Sequence, residues 1–301
     1  MCVSTRMKGL WMVVIAATMW GLSGTVAQWV FQQKHILTEW LVFVRMIVSG
    51  FCLLAVATLR RIPLFHIWRE RSSRLLLIFF SLVGMLGVQY TYFLSIAHGN
   101  AAAATLLQYL APIYIVLYFF IRERKQPSIS IWGALILAIC GTFLLLTNGK
   151  MGAISISFSA LFWGVISGLL LAFYTICSAK LLKKWDSLII VGWAMVLGGI
   201  AMAPSVSTFF QPFVTFDIQT IISILFIVVC GTLLAFLLFI ESIRHLSPTE
   251  SSILSSVEPL SAIIASVLFL HVSFGFFQTV GSLLIIATVV LLGRQKMASP
   301  S

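Results

Sequence analysis

Ten apolar runs, each about 20 residues long, follow one another along the chain and are separated by polar or Gly/Pro-containing connectors. A helix of about 20 residues rises about 30 Å, which is the thickness of the hydrocarbon core of a bilayer. Of the 301 residues, 60% are hydrophobic and only 9% are charged, which excludes a soluble domain of this size. We therefore predict an all-α polytopic membrane protein with ten transmembrane helices, called spans one to ten, at residues 10–30, 39–59, 75–97, 101–121, 129–147, 158–179, 187–207, 217–240, 248–270 and 274–293.

The basic residues are distributed unequally between the two faces of the membrane. Connectors that reach one face carry sixteen of the nineteen Lys and Arg residues, whereas the other face carries Lys34 and Lys150. Because cytoplasmic connectors are enriched in Lys and Arg, we predict a protein of the cell (cytoplasmic) membrane with both termini in the cytoplasm. This orientation explains the basic excess better than nucleic acid, which we do not predict as a partner.

The two halves of the chain are similar to each other. We predict two five-span repeats, at residues 1–148 and 149–301. Because five is odd, the second repeat enters the membrane from the opposite face, and such inverted repeats supply alternating access to a site near the midplane. Isolated matches between apolar halves can also arise by chance. A shift of 147 residues aligns Gly84 with Gly231, Ser95-Ile96 with Ser242-Ile243, His98 with His245, Leu107 with Leu254 and Pro112 with Pro259, and a shift of 143 aligns Trp20-Gly21 with Trp163-Gly164.

Span nine holds a carboxylate and a proline near its middle. Glu258 lies on a stripe of small and polar residues, roughly 15 Å into the span. A carboxylate in hydrocarbon costs about 2.5 kcal/mol or more, so we expect it to face the protein interior or a water-filled cavity. It could bind substrate and couple transport to a proton, or it could fix a structural bend at Pro259. Pro112 predicts an equivalent bend in span four.

Arg45 is a basic residue inside span two, about 9 Å below the predicted outer surface. One interpretation is that its guanidinium attracts an anionic group of a substrate. A second is that it forms an ion pair with Glu258. A third is that its long side chain extends to the surface and anchors the span.

Several polar and aromatic side chains lie well inside other spans and are candidate substrate contacts. Amides at this depth need hydrogen-bond partners, and paired aromatic rings from the two halves could form the apolar walls of a pocket. Helix packing is the alternative for each of them. The candidates, in addition to Glu258, are Trp20, Gln89, Tyr90, Gln108 and Trp163.

Short motifs recur in a fixed order along nearly the whole chain. They are Met19-Trp20-Gly21 in span one, Phe43-Val44-Arg45 in span two, the small-residue run Ala101 to Ala104 before Leu110-Ala111-Pro112 in span four, Gly133 and Gly141 in span five, and Val257-Glu258-Pro259 in span nine. In these motifs the sequence resembles the EamA-type transporters of the drug/metabolite transporter superfamily.

The resemblance implies a ten-helix inverted-repeat carrier in which helices one, three, four, six, eight and nine surround a central cavity. It also implies transport of small metabolites, often amino acids or related compounds and often outward. The family commonly places an acidic residue after spans four and nine. Here Arg122-Glu123 retains it after span four, whereas Leu270-His271 replaces it after span nine.

The functional hypothesis is a secondary transporter that exports a small metabolite by alternating access, with Glu258 as the candidate for proton coupling. The sequence holds no Walker P-loop, so a proton or solute gradient is the simpler energy source. An uncoupled facilitator or an importer remains an alternative, and a membrane-embedded lipid enzyme or a receptor is less favoured because no catalytic motif or signalling loop is present. We predict no catalytic residue, cofactor or metal; the predicted partners are a small-molecule substrate, protons and the lipid bilayer.

Overall fold

The computed structural model describes residues 2–123, 156–206, 217–246, 257–271 and 275–297, together with isolated positions within 133–148 and 251–255. Most of predicted span five and most of the first third of predicted span nine lie outside the described residues. Within the described ranges every regular element is helical, and nine of the ten predicted spans correspond to helices.

Most helices begin and end within a few residues of the predicted apolar runs. Within the described ranges, seven are long and apolar enough to cross a membrane on their own, and the last two, in spans nine and ten, include shorter apolar stretches. The helical bounds are Cys2–Lys34, Thr38–Leu59, His66–Arg69, Arg71–Phe79, Gly87–His98, Ala101–Gln108, Ala111–Glu123, Phe158–Leu181, Ser187–Met202, Ile218–Val228, Ala235–Ser242, Val257–Leu270 and Phe276–Met297. The short helix His66–Arg69 lies in the connector between spans two and three.

Spans four and nine are both interrupted shortly before a proline. In span four the helix ends at Gln108 and resumes at Ala111, next to Pro112. In span nine Ser255 lies in a turn, and Glu258 N–H donates to its carbonyl at 2.8 Å, just before Pro259. Proline has no N–H and clashes with the carbonyl one turn earlier, which explains both interruptions.

Spans three and eight each contain a π-helical segment at equivalent positions of the two predicted repeats. The segments are Phe80–Leu86 and Val229–Leu234. Each contains one of the two glycines aligned by the 147-residue shift. A π segment changes the hydrogen-bond register of the helix and is frequent at functional sites.

Glycines allow the first helix of each half to approach the interrupted helix of the other half. A Cβ atom on Gly21 of span one would lie 2.5 Å from the carbonyl oxygen of Glu258. A Cβ atom on Gly168 of span six would lie 3.0 Å from the carbonyl oxygen of Gln108. Only glycine, which has no Cβ atom, permits this contact at position 21, so Gly21 determines how closely spans one and nine pack.

The helix ends form two groups, one at each face of the bundle. At the first, called here the Lys34 face, Lys34 forms an ion pair with Asp217 at 2.7 Å. At the second, called the Glu70 face, Lys184 forms an ion pair with Glu70 and Arg244 lies 3.7 Å from Asp186. Hydrogen bonds from Lys184 and two serines hold the pKa of the Glu70 carboxyl below its usual value. Three of the connectors that the charge distribution assigns to one side of the membrane, those with Glu70, Lys184 and Arg244, therefore lie on one face.

Candidate functional site

Spans one, two, three, four, six, eight and nine enclose a central cavity in the bundle. Its volume is about 30 Å³, which is room for about two waters. Residues from both predicted repeats contribute to it. The lining residues are Trp20, Ser23, Arg45, Val88, Gln89, Tyr92, Phe93, Gln108, Leu171, Phe236 and Glu258.

A smaller cavity adjoins the central one and shares three of its polar residues. The shared residues are Trp20, Gln108 and Glu258, and the additional lining comes from spans four, six, eight and nine. The two cavities therefore meet beside the carboxylate of span nine.

Glu258 lies between these cavities and is only 3% exposed. Its position follows from the helix that carries it, because the interruption at Ser255 and the close contact with Gly21 place the start of the second helical part of span nine against span one. Neither carboxyl oxygen forms a hydrogen bond or an ion pair with another residue in the described parts of the chain. The structure thus presents a buried carboxylate to the cavity without a protein partner.

Arg45 also faces the cavity, but its hydrogen bonds go to span eight. Its Nε donates to the Thr232 hydroxyl at 2.7 Å, and its Nη2 donates to the Gly231 carbonyl at 3.2 Å. The guanidinium also lies over the ring of Phe93, 4.3 Å from its centroid. The expected ion pair with Glu258 is not formed, and at 3% exposure the side chain does not reach the surface.

One hydrogen bond of Arg45 goes to the Gly231 carbonyl, whose usual α-helical donor is redirected in the π segment. Ala235 N–H, the group one turn beyond Gly231, donates to Cys230 and Thr232 instead. Ser49, one turn after Arg45 on span two, donates to the carbonyl of Val228 at 3.1 Å. Span two therefore holds the π segment of span eight in place, which no motif in the sequence indicated.

Three of the predicted contacts lie together in the cavity, with different partners. The Gln108 amide donates to the Ser167 hydroxyl and so joins spans four and six. Gln89, which is 2% exposed, has no partner for either amide atom among the described residues. The indole N–H of Trp20 likewise lacks a partner there, while its ring packs on Phe236 at 4.9 Å between centroids.

The other two predicted contacts do not line the cavity. The Tyr90 hydroxyl donates to Glu39 at 3.0 Å, because Tyr90 lies on the side of span three that faces the start of span two. Trp163 packs edge-on against Phe162, an exposed ring on the outside of span six. The expected pairing of Trp20 and Trp163 as two walls of one pocket is therefore wrong. Phe93 and Phe236 provide aromatic walls instead, and the sequence pattern alone did not distinguish them from packing residues.

Comparisons with known proteins place the whole chain among membrane transporters. The model of the EamA-like transporter family matches residues 7–147 and residues 158–294. The "Uncharacterized inner membrane transporter YicL" of Salmonella typhimurium is 37% identical over 289 residues, which cover 96% of each chain. An "Uncharacterized transporter" of Archaeoglobus fulgidus is 24% identical over 220 residues, covering 70% of this chain and 74% of that protein. A crystal structure with 14% sequence identity superimposes with a TM-score of 0.68 over 99% of both chains, which shows a shared fold.

Removing Arg45 tests whether it holds the π segment of span eight. Arg45→Met would leave the Thr232 hydroxyl and the Gly231 carbonyl without their buried donor, so we expect the purified protein to be about 2 to 4 kcal/mol less stable. Arg45→Lys keeps the charge but cannot donate in two directions from a rigid fork, so an intermediate loss is expected. Thermal unfolding in detergent measures both, with exposed Arg60→Met as the control. Equal stability of Arg45→Met and Arg60→Met would contradict the assigned role.

Proposed function

The chain belongs to the EamA-like transporter family, and we propose that it exports a small metabolite across the cytoplasmic membrane as a secondary carrier with alternating access. The resemblance predicted from the sequence motifs is confirmed by the family match. The chain is a multi-pass membrane transporter, and the family and the names of its relatives point to transport of a small molecule rather than to an enzyme. The direction of transport and the kind of metabolite are proposals.

The observation that carries the proposal is the unpartnered carboxyl of Glu258 in a cavity formed by both halves of the chain. A charged group inside a membrane protein is costly, and such groups mark substrate and ion pathways. Binding sites of carriers with inverted repeats lie where the repeats meet. The polar side chains of spans two, three and four meet the carboxylate of span nine there.

We propose that contacts between helices near the two faces of the bundle close the cavity in turn, as alternating access requires. Toward the Lys34 face, Gln28 accepts from Ala101 N–H at 2.9 Å and Gln32 donates to the Gly99 carbonyl at 3.3 Å. Toward the Glu70 face, the Ser242 and Ser251 hydroxyls lie 3.3 Å apart. A cavity with room for about two waters must widen to admit a metabolite, and opening at either face requires one of these sets of contacts to break.

We further propose that transport is coupled to protons and that Glu258 carries the coupling proton. A carboxylate without a counter-ion can exchange a proton as the cavity gains or loses contact with water and substrate. An uncoupled facilitator is the alternative, and in that case Glu258 is a substrate contact or a structural residue.

Glu258→Gln separates the coupled carrier from the facilitator. The amide keeps the size of the side chain but cannot take up a proton, so transport by the variant should lose its dependence on an imposed proton gradient. The measurement is uptake of radiolabelled amino acids, nucleobases and organic cations into proteoliposomes with and without the gradient. Glu70→Gln, a change to an exposed connector carboxylate, should leave the gradient dependence intact.

Gradient-dependent transport that persists in Glu258→Gln would rule out this residue as the proton carrier. Transport by the wild type that does not respond to the gradient would favour the facilitator. Failure of the wild type to move any solute of the panel would count against the carrier itself.

The proposed orientation places the Glu70 face in the cytoplasm, because the connectors there carry most of the basic residues. Single cysteines at exposed positions test it in a background without native cysteines. We expect a membrane-impermeant maleimide to label Gln33→Cys in intact cells and Arg60→Cys only after permeabilisation. The reverse pattern would invert the topology.

A further inference from the structure

Apart from Ser23, the polar side chains of the central cavity divide into those engaged by the protein and those left free. Arg45 donates to two acceptors of span eight, and the Gln108 amide donates to Ser167. The Tyr92 hydroxyl lies 2.8 Å from the Thr105 hydroxyl, within hydrogen-bond distance. These three groups are held by the fold, and the guanidinium that would be the natural partner of a carboxylate substrate is already occupied on two sides.

The free groups are the Gln89 amide, the Trp20 indole N–H and the Glu258 carboxyl. Within the described parts of the chain, both amide atoms of Gln89 and the indole N–H of Trp20 are buried without a hydrogen-bond partner. The Glu258 carboxyl, on a side chain that is 3% exposed, forms no hydrogen bond with those parts either. Buried polar groups are nearly always paired in folded proteins. Three such groups lining one cavity indicate that their partners come from a ligand.

The kind of partner follows from the chemistry of the free groups. A primary amide offers one acceptor and two donors in a plane, so it pairs through two parallel hydrogen bonds with a group that has an adjacent N–H and C=O. A lactam, the cis-amide edge of a planar heterocycle, is such a group. The Trp20 N–H can donate to a second ring acceptor, and Glu258 can accept from a further ring N–H.

The walls of the cavity suit a flat molecule. The rings of Trp20, Phe93 and Phe236 all contribute to the lining, and aromatic rings bind planar heterocycles by stacking. The side chain of an aliphatic amino acid would not stack on these faces.

We propose, on the basis of the proposed transport function, that the substrate is a small planar heterocycle with a lactam edge and that Gln89 determines this specificity. Gln89 binds the lactam N–H and C=O together. Trp20 supplies a ring face and a donor, and Glu258 accepts from a remaining N–H.

The test compares uracil and hypoxanthine, which carry the lactam edge, with 1,3-dimethyluracil, which keeps the ring but has no N–H. Binding to the purified full-length protein is measured by isothermal titration calorimetry, with alanine and lysine as aliphatic amino acids. We expect uracil to bind roughly tenfold or more tightly than its dimethyl derivative, because a site built to hydrogen-bond an N–H rejects an analogue that lacks it.

Gln89→Leu removes the amide at similar size and should abolish the discrimination between uracil and its dimethyl derivative. Gln219→Leu is the matched control, since Gln219 lies in a separate groove between spans one, eight and nine. Thermal unfolding of both variants confirms that they fold. Discrimination that persists in Gln89→Leu would overturn the role assigned to Gln89.

Uptake of the same compounds into proteoliposomes separates this inference from the proposed function. Lactam binding without transport would contradict the proposed transport function but not the proposed recognition of lactams by Gln89. Transport of amino acids without lactam binding would overturn the proposed recognition of lactams but not the proposed transport function. Neither binding of lactams nor transport of any solute would overturn both.

Discussion

A backbone carbonyl that loses its helical partner inside a membrane has to be satisfied by the protein itself, because lipid offers no donor. In the part of the bundle that the structure describes, the helical pattern is broken at the two π segments and at the two interruptions before prolines, and the constraint applies there. At the second π segment the guanidinium of Arg45 and the hydroxyl of Ser49 supply the donors. At the interruption in span nine, Glu258 N–H donates to the Ser255 carbonyl, and the carboxyl of the same residue faces the cavity. The irregular backbone and the polar groups of the site thus occupy the same layer of the bundle.

The two predicted repeats share their backbone irregularities but differ in side chains. The π segments occur at matching positions, and the prolines that follow the two interruptions are aligned by the same shift of 147 residues. The first half contributes a cation and two amides to the cavity, whereas the second half contributes the carboxylate. The similar backbones of the two halves suit opening at opposite faces of the membrane. Their different side chains form one asymmetric site between them.

Much of the architecture could be predicted from the sequence, because apolar runs of about 20 residues leave little choice of structure. The spans, the family and the burial of Glu258 follow from the apolar pattern and a few motifs. The partners of the polar residues did not follow, since they depend on how the helices rotate about their axes. An ion pair with Glu258 was one of three interpretations of Arg45, whose guanidinium binds Thr232 and Gly231. Trp163 was expected opposite Trp20 and packs outside the cavity.

The central claim is that the cavity beside Glu258 is open to each face of the membrane in turn. The most direct measurement uses a single cysteine at Val88, a buried residue of the cavity wall, in a background without other cysteines. Its reaction with a small methanethiosulfonate reagent is followed from each side of oriented vesicles. The account predicts reaction from both sides and slower reaction when a transported solute is present. Reaction from neither side, or from both sides at an unchanged rate with solute, would contradict it.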